Sequence, residues 1–401
     1  PTRLLPMPGE HAKWRAEIKR IDEAIAKLKA DGGEKKNAAA IKKLEAERRP
    51  EPMVRALWDR GEPSPQYVLV RGNYQRAGAL VKPNTPMALN GNKSNYAPKQ
   101  PWPGAKKTGR RLAFAKWMVR PEHPLTARVM VNRIWKHHFG KGIVRTLDNF
   151  GKAGARPSHP ELLDWLATEF PRRRWSLKAM HRLIMNSATY RQSSSINGQH
   201  QKLDPENELL SRMPLHKLDA EALRDSILFV AGQLNEKNRG GKPDGIKSHK
   251  DGLVSIPRGP DGWRRSIYVQ QRRTEMPTFL TTFDLPRMEP NCIERPQSTV
   301  APQALHLLND ATVHEIAGHF AARLVKEAAN EKAQLTRAHW LAFSRAPTKE
   351  EIKFANEALQ QLKAKWKTEL GDKATDEAVH KNALTNFCRA LLNASEFQYV
   401  D

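Results

Sequence analysis

The stretch Thr126-Ala127-Arg128-Val129-Met130-Val131-Asn132-Arg133-Ile134-Trp135-Lys136-His137-His138-Phe139-Gly140 sets the fold class. Val131, Ile134, Trp135 and His138 recur at the spacing of one helix face. Thr126 reads as the N-cap and Gly140 as the C-terminal stop. On this reading His138 faces the core and His137 faces solvent. Cationic His at a helix C-terminus is favoured by the helix dipole, so the pair needs no ligand role.

Helix signals continue on both sides. Upstream, Arg110–Val119 reads as a short helix that carries Leu112, Phe114 and Trp117. Downstream, Ser158 and Glu161 form a capping box around Pro160. Leu162, Leu163, Trp165, Leu166 and Phe170 make the buried side of that helix. Another helix starts near Ser176, and Asp219 caps one that runs through Leu234. Residues 236–300 read as an inserted loop region in which Ser266–Gln271 is a strand, with Ile267 and Val269 on one side. Helices return over Ala304–Val325, after the Thr348/Glu351 capping box, and over 376–394.

The N-terminal part differs. Trp14, Ile18, Ile21, Ile25 and Leu28 step by 4, 3, 4 and 3, the seam of a coiled coil. Asp31-Gly32-Gly33 breaks the helix, and Ile41 and Leu44 continue the apolar face before Pro50 and Pro52. Residues 1–50 thus read as a helical hairpin, a surface for protein assembly over 10–49. Residues 51–108 are Pro- and Gly-rich, a connector with one strand at about 67–72, and 109–401 form the main helical domain. The expected class is mainly α: a multi-helix globular domain, an N-terminal hairpin and a few short strands.

The 401 residues hold 68 Lys and Arg against 43 Asp and Glu, a net charge of +25, with 39% hydrophobic residues. That apolar share supports a core, and no apolar run of about 18 residues predicts a membrane span. The charge is uneven. Lys99–Arg191 carries 20 basic residues against 5 acidic, whereas residues 1–50 carry 13 against 8 with signs interleaved, as on a solvated helix. The first stretch is read as a surface for polyanions. Its candidates are Lys106, Lys107, Arg110, Arg111 and the run Arg172-Arg173-Arg174 beside Trp175. A solvated inter-helix turn is the simpler reading of that run.

Tests for chemistry return little. His314 and His319 imitate a zinc-protease motif, but five residues of helix turn them about 140° apart. Gly240–Ser248 imitates a phosphate-binding loop with one residue too many, and Pro243 removes an amide from the cradle. There is no Cys-x-x-Cys-His for haem and no Gly-x-Ser-x-Gly nucleophile turn. Two cysteines exclude a disulfide framework or a four-Cys zinc site. Cys292 and Cys388 could pair in an oxidising compartment, or stand as a loop thiol and a buried apolar residue. No cofactor or metal is expected in this chain. The polar groups Arg128, Asn132, Asp148, His159 and Arg191 form the best enzyme-like set, with Asp148 pairing either Arg. A buried polar network that fixes helix register is the competing reading.

Several ordered blocks resemble one family. They are Leu125–Gly140, Asn149-Phe150-Gly151, Pro157–Leu166, Ser187–Ser193, Leu218–Asp225, Arg265–Val269, Val300–Leu305 and Leu391–Phe397. Together they resemble the planctomycete-type domain of unknown function 1553, and Tyr67–Leu89 resembles the connector that precedes it. The resemblance implies the C-terminal part of a larger exported protein, often fused to a planctomycetal cytochrome c domain. It implies periplasm or cell surface, and it carries over no catalytic residue. The start at Pro1 without a leader or initiator Met agrees with a trimmed fragment.

Three functions follow in order. The first is a non-enzymatic extracytoplasmic binding or assembly module whose basic surface engages an acidic glycan, envelope component or acidic protein. The second is an enzyme on an anionic polymer, with its site around Arg128, Asn132, His159 and Arg191. The third is nucleic-acid binding, disfavoured by expected export and by the lack of a recognised module.

Overall fold

The structure is a computed structural model that describes residues 2–7, 9–57, 63–90, 96–100, 102–104, 107–237, 245–287 and 292–400. It is mainly α and divides into two compact units, Pro1–His123 and Pro124–Asp401.

In the first unit, strand β1 (Thr2–Pro6) runs antiparallel to β2 (Met53–Leu57). Between them lie helices α1 (Glu10–Ala30), α2 (Gly33–Lys36) and α3 (Ala38–Ala46). Ile21, Ile25 and Ile41 are buried together with Leu28 and Leu44 against them, so the apolar periodicity closes the hairpin. Gly33 takes φ 77°, the left-handed turn that the Gly pair makes cheap. The Trp14 indole donates to the Arg49 carbonyl at 2.9 Å and ties the two ends. The connector carries more strand than its sequence shows. β3 (Gln66–Leu69) pairs antiparallel with β4 (Ala77–Val81). β3 ends at Leu69 because Val70–Gly72 turn as a 3₁₀ segment with Arg71 at φ 51°. Helix α4 (Arg110–Met118) buries Trp117, whose indole donates to Asn90 Oδ1 at 2.7 Å. Leu112 and Phe114 on the same helix are exposed.

The second unit has two cores. One joins α5 (Thr126–Phe139), α6 (Pro160–Arg172) and α7 (Leu177–Met185) through Val131, Trp135, Phe139, Leu163, Leu166 and Met180. The other is larger. After α8 (Gly198–Leu203) come α9 (Ala220–Val230), α10 (Thr278–Thr282), α11 (Ala301–Asn309) and α12 (Ala311–Glu327). Then follow α13 (Glu331–Phe343), α14 (Lys349–Leu370), α15 (Asp376–Leu392) and α16 (Ser395–Gln398). Leu223, Ile227, Phe320, Leu324, Leu359 and Leu384 are fully buried at its centre.

Several local expectations are corrected. Leu125, not Thr126, stands at the N-cap of α5, because the Leu125 carbonyl already accepts the first helical bond, from the Val129 amide at 2.8 Å. The Ser158/Glu161 box does not form, since His159 is the N-cap and the Ser158 hydroxyl turns to the Ile143 carbonyl at 3.3 Å. Asp219 holds the N-cap position of α9 without a side-chain cap bond, and the helix ends at Val230, short of Leu234. The expected strand at 266–271 is a 3₁₀ turn at Ser266–Tyr268, with Ile267 77% exposed and Val269 buried. The reason is a partner for Ser266: Asp225 Oδ1 accepts from its amide and its hydroxyl at 2.8 and 2.7 Å, replacing a ladder. The long helix over 304–325 is two helices, because Asp310 caps the second by accepting from the Thr312 and Val313 amides. The Thr348/Glu351 capping box forms on both sides as read.

Candidate anion-binding cleft

The polar set read as enzyme-like does not converge on one cavity. Arg128 is an ion-pair partner of Asp164, with Nε 2.7 Å from Oδ1, and Nη1 donates to the Pro124 carbonyl at 2.7 Å. Asp148 is exposed and takes neither Arg, and Arg191 is exposed. Asn132 is fully buried and satisfied. Its Nδ2 donates to the Val144 carbonyl at 2.9 Å, and its Oδ1 accepts from the Val144 amide at 2.8 Å. Held at both its N–H and its C=O, Val144 is stapled by Asn132, which joins α5 to the 140–147 turn. Gly142 is part of it, since a Cβ there would stand 2.6 Å from the Val144 carbonyl oxygen and 2.8 Å from Asn132 Nδ2.

Of that set, His159 lines a cleft of about 530 Å³. The floor is apolar: Trp135 and Phe139 from α5, Ile143 from the turn, and Leu210 and Met213 from the segment after α8. The rim carries Lys141, Arg145, Arg156 and Arg212 against Glu206 and Glu208. Lys141 Nζ lies 3.4 Å from Glu206 Oε2, and Arg145 pairs with Glu208. Those pairs neutralise two of the cations, which leaves Arg156 and Arg212 in excess over the lining carboxylates, although Asp204, outside the lining, also lies near Arg212. Arg156 has no ion pair among the described residues. The cleft therefore presents an apolar base and a net positive mouth, the arrangement for a ligand with both apolar and anionic groups.

The wall at 204–213 is built by side chains that bond backbone. Asn207 sits at φ 51°, which Asn tolerates better than most residues, and its Nδ2 donates to the Arg212 carbonyl at 2.8 Å. Asp204 accepts from the Leu209 and Glu208 amides at 2.7 and 2.8 Å. The Leu209 amide first, with the Glu208 amide and nearby cations, holds the Asp204 carboxyl below its usual range. The Gln192 amide donates to the Leu210 carbonyl at 2.7 Å. Lys141, Arg145 and Arg156 belong to the basic stretch the sequence flags. Arg212 lies beyond it, and only the return of the 204–213 wall brings it to the rim.

The other sequence candidates disperse. Lys106 lies outside the described residues. Lys107 Nζ stands 5.9 Å over the Trp102 ring, Arg110 is half-buried and Arg111 is exposed. Arg172 and Arg173 both pair with Glu169, at 3.3 and 3.1 Å, and Arg174 and Trp175 turn the chain at φ 54° and 57°. So Glu169 answers two cations of the run, which makes it an inter-helix turn. His314 and His319 diverge as expected: His314 is exposed, while His319 meets the Trp263 ring edge-on at 5.3 Å. No group of three or more His, Cys, Asp or Glu is placed to hold a metal among the described residues. Residues 240–244 of the loop that imitates a phosphate cradle lie outside the described residues. Cys292 and Cys388 are not paired. Cys292 is exposed, and Cys388 is buried, which pushes its thiol well above the ordinary range.

Residues 110–359 match the family model described as protein of unknown function DUF1553. The chain belongs to the DUF1553 family. No curated protein and no solved structure matches it. Several polar residues in or beside the blocks that resemble DUF1553 are internal staples. Arg224 is buried and donates to the Arg264 carbonyl and the Ser266 hydroxyl, both at 3.1 Å, and to the Gly262 carbonyl at 2.5 Å. Gln303 is buried and its Nε2 donates to Thr282 O at 3.0 Å, Ser298 Oγ at 3.1 Å and Asp284 Oδ2 at 3.2 Å. Lys217 donates to the Gln303 amide oxygen at 2.6 Å. With Asn132, these bonds join chain segments far apart in sequence.

Proposed function

We propose that this DUF1553 chain is a non-enzymatic, extracytoplasmic binding module. It engages an acidic glycan, envelope component or acidic protein through the cleft beside His159. The observation that carries this reading is the excess of Arg156 and Arg212 over carboxylates at the mouth of an apolar, walled cleft. The compartment follows from the family resemblance, and the net charge of +25 favours polyanions at a distance.

The test is a titration of the full chain with heparin, a sulfated polysaccharide, at several salt concentrations. Binding weakens as salt rises, because the contacts are screened charges. The double variant Arg156→Glu/Arg212→Glu binds at least about tenfold more weakly, roughly 1.4 kcal/mol. Absence of binding at low salt, or an affinity that ignores salt or the double variant, overturns the reading.

A further inference from the structure

The hairpin β3–β4 in the first unit leaves both of its faces uncovered. Tyr67, Leu69 and Leu80 on one face are 43, 42 and 59% exposed. Val68 and Val81 on the other are 57 and 46% exposed. A two-stranded ribbon in water is marginal, and apolar faces of this kind mark a contact surface. Its edges are also open. Among the described residues β3 and β4 pair only with each other. The ribbon is well formed all the same. Gly78 and Ala79 oppose the single Val68 as a bulge, and a Cβ on Gly78 would meet the Val68 carbonyl oxygen at 2.9 Å. The turn is held by Asn73, whose side chain accepts from the Gln75 amide at 2.9 Å.

Charge names the occupant. From Pro63 to Pro121 the sequence has no Asp or Glu and 11 Lys and Arg, with Arg71, Arg76 and Lys82 on or beside the hairpin. We propose that β3–β4 receives an acidic, strand-forming segment of a partner protein. The segment adds to a free edge by main-chain hydrogen bonds, lays its apolar side chains on the exposed face, and sets its carboxylates against those cations. A second copy of this chain brings the same positive charge and is repelled. Lipid tails leave the edge N–H and C=O groups unpaired, which is costly. A single-stranded nucleic acid stacks on aromatic rings, and the hairpin offers only Tyr67 and, at its turn, Tyr74 against the aliphatic Val68, Leu69, Leu80 and Val81.

This surface is separate from the cleft, and the test keeps them apart. Three synthetic peptides are titrated against the full chain at low salt. One alternates valine and glutamate, one alternates valine and lysine, and one is the valine–glutamate peptide N-methylated on alternate residues. The valine–glutamate peptide binds at least about tenfold more tightly than either other peptide, as a charge-matched added strand requires. Amides 66–81 gain hydrogen-exchange protection on binding. Arg71→Glu/Arg76→Glu removes that protection, and Arg156→Glu/Arg212→Glu leaves it in place. Equal binding of the N-methylated peptide refutes an added strand. Amides 66–69 and 77–81 that are all protected before peptide is added show the hairpin already covered, and overturn the proposal. So does tighter binding of phosphatidylglycerol vesicles or oligodeoxythymidine that the same double variant abolishes.

Discussion

Replacing Asn132 by Ala separates a structural residue from a functional one. The side chain is wholly buried and makes one bond to the backbone N–H and one to the backbone C=O of Val144. The variant leaves a buried N–H and a buried C=O without partners. Each orphan costs about 1–3 kcal/mol, less whatever a water entering the vacated space recovers, so about 3 kcal/mol in all is expected. For a unit of this size that lowers Tm by roughly 6–12 °C. Arg128, one helical turn earlier, supplies the control. Its ion pair with Asp164 is partly solvated, with side chains 35 and 58% exposed, so Arg128→Ala costs about 1 kcal/mol or less. Thermal unfolding followed by circular dichroism at neutral pH reads both variants, and heparin titration reads their binding. Asn132→Ala unfolds early and, while folded, binds as the parent does. A Tm equal to that of Arg128→Ala refutes the staple. A normal Tm with binding lost returns Asn132 to the functional site.

Two further outcomes are expected. Gly142→Ala lowers Tm by several degrees, since its Cβ would stand 2.6 Å from the Val144 carbonyl oxygen and 2.9 Å from Leu147 Cδ2. Combined with Asn132→Ala it costs less than the sum, because both break one junction. Additive losses count against a shared junction. The second concerns pH. Burial, together with neighbouring cations, holds His137 and His138 below the ordinary 6.5, and burial does the same for His306 against the pull of Asp310. The folded chain then binds fewer protons than the unfolded chain. This contribution is complete above about pH 6.5 and is lost as pH falls through that value toward the lower folded ones. Tm therefore declines between about pH 7 and 5. A Tm that is flat or rises over that interval contradicts the assignment.

What was legible in the sequence is what local chemistry dictates. The stop at Gly140, the break at Gly32-Gly33, the seam through Ile21, Ile25 and Leu28 and the Thr348/Glu351 box each depend on residues a few positions apart. Where a reading failed, a distant partner had intervened. Ser158 left its cap for the Ile143 carbonyl, and Asp225 turned Ser266 out of a strand. The basic excess was legible too, but its use was not. Glu169 answers Arg172 and Arg173, whereas Arg156 and Arg212 remain in excess at a cleft wall set by the 204–213 segment. The sequence by itself determined the mainly helical class, the family and the sign of the surface. Tertiary structure alone decided which polar residues are spent inside, because a buried hydrogen bond needs a partner and that partner was 12 to 86 residues away. It also decided which cations face a cleft and which strand edges stay open, since both are set by packing rather than by neighbours in the chain.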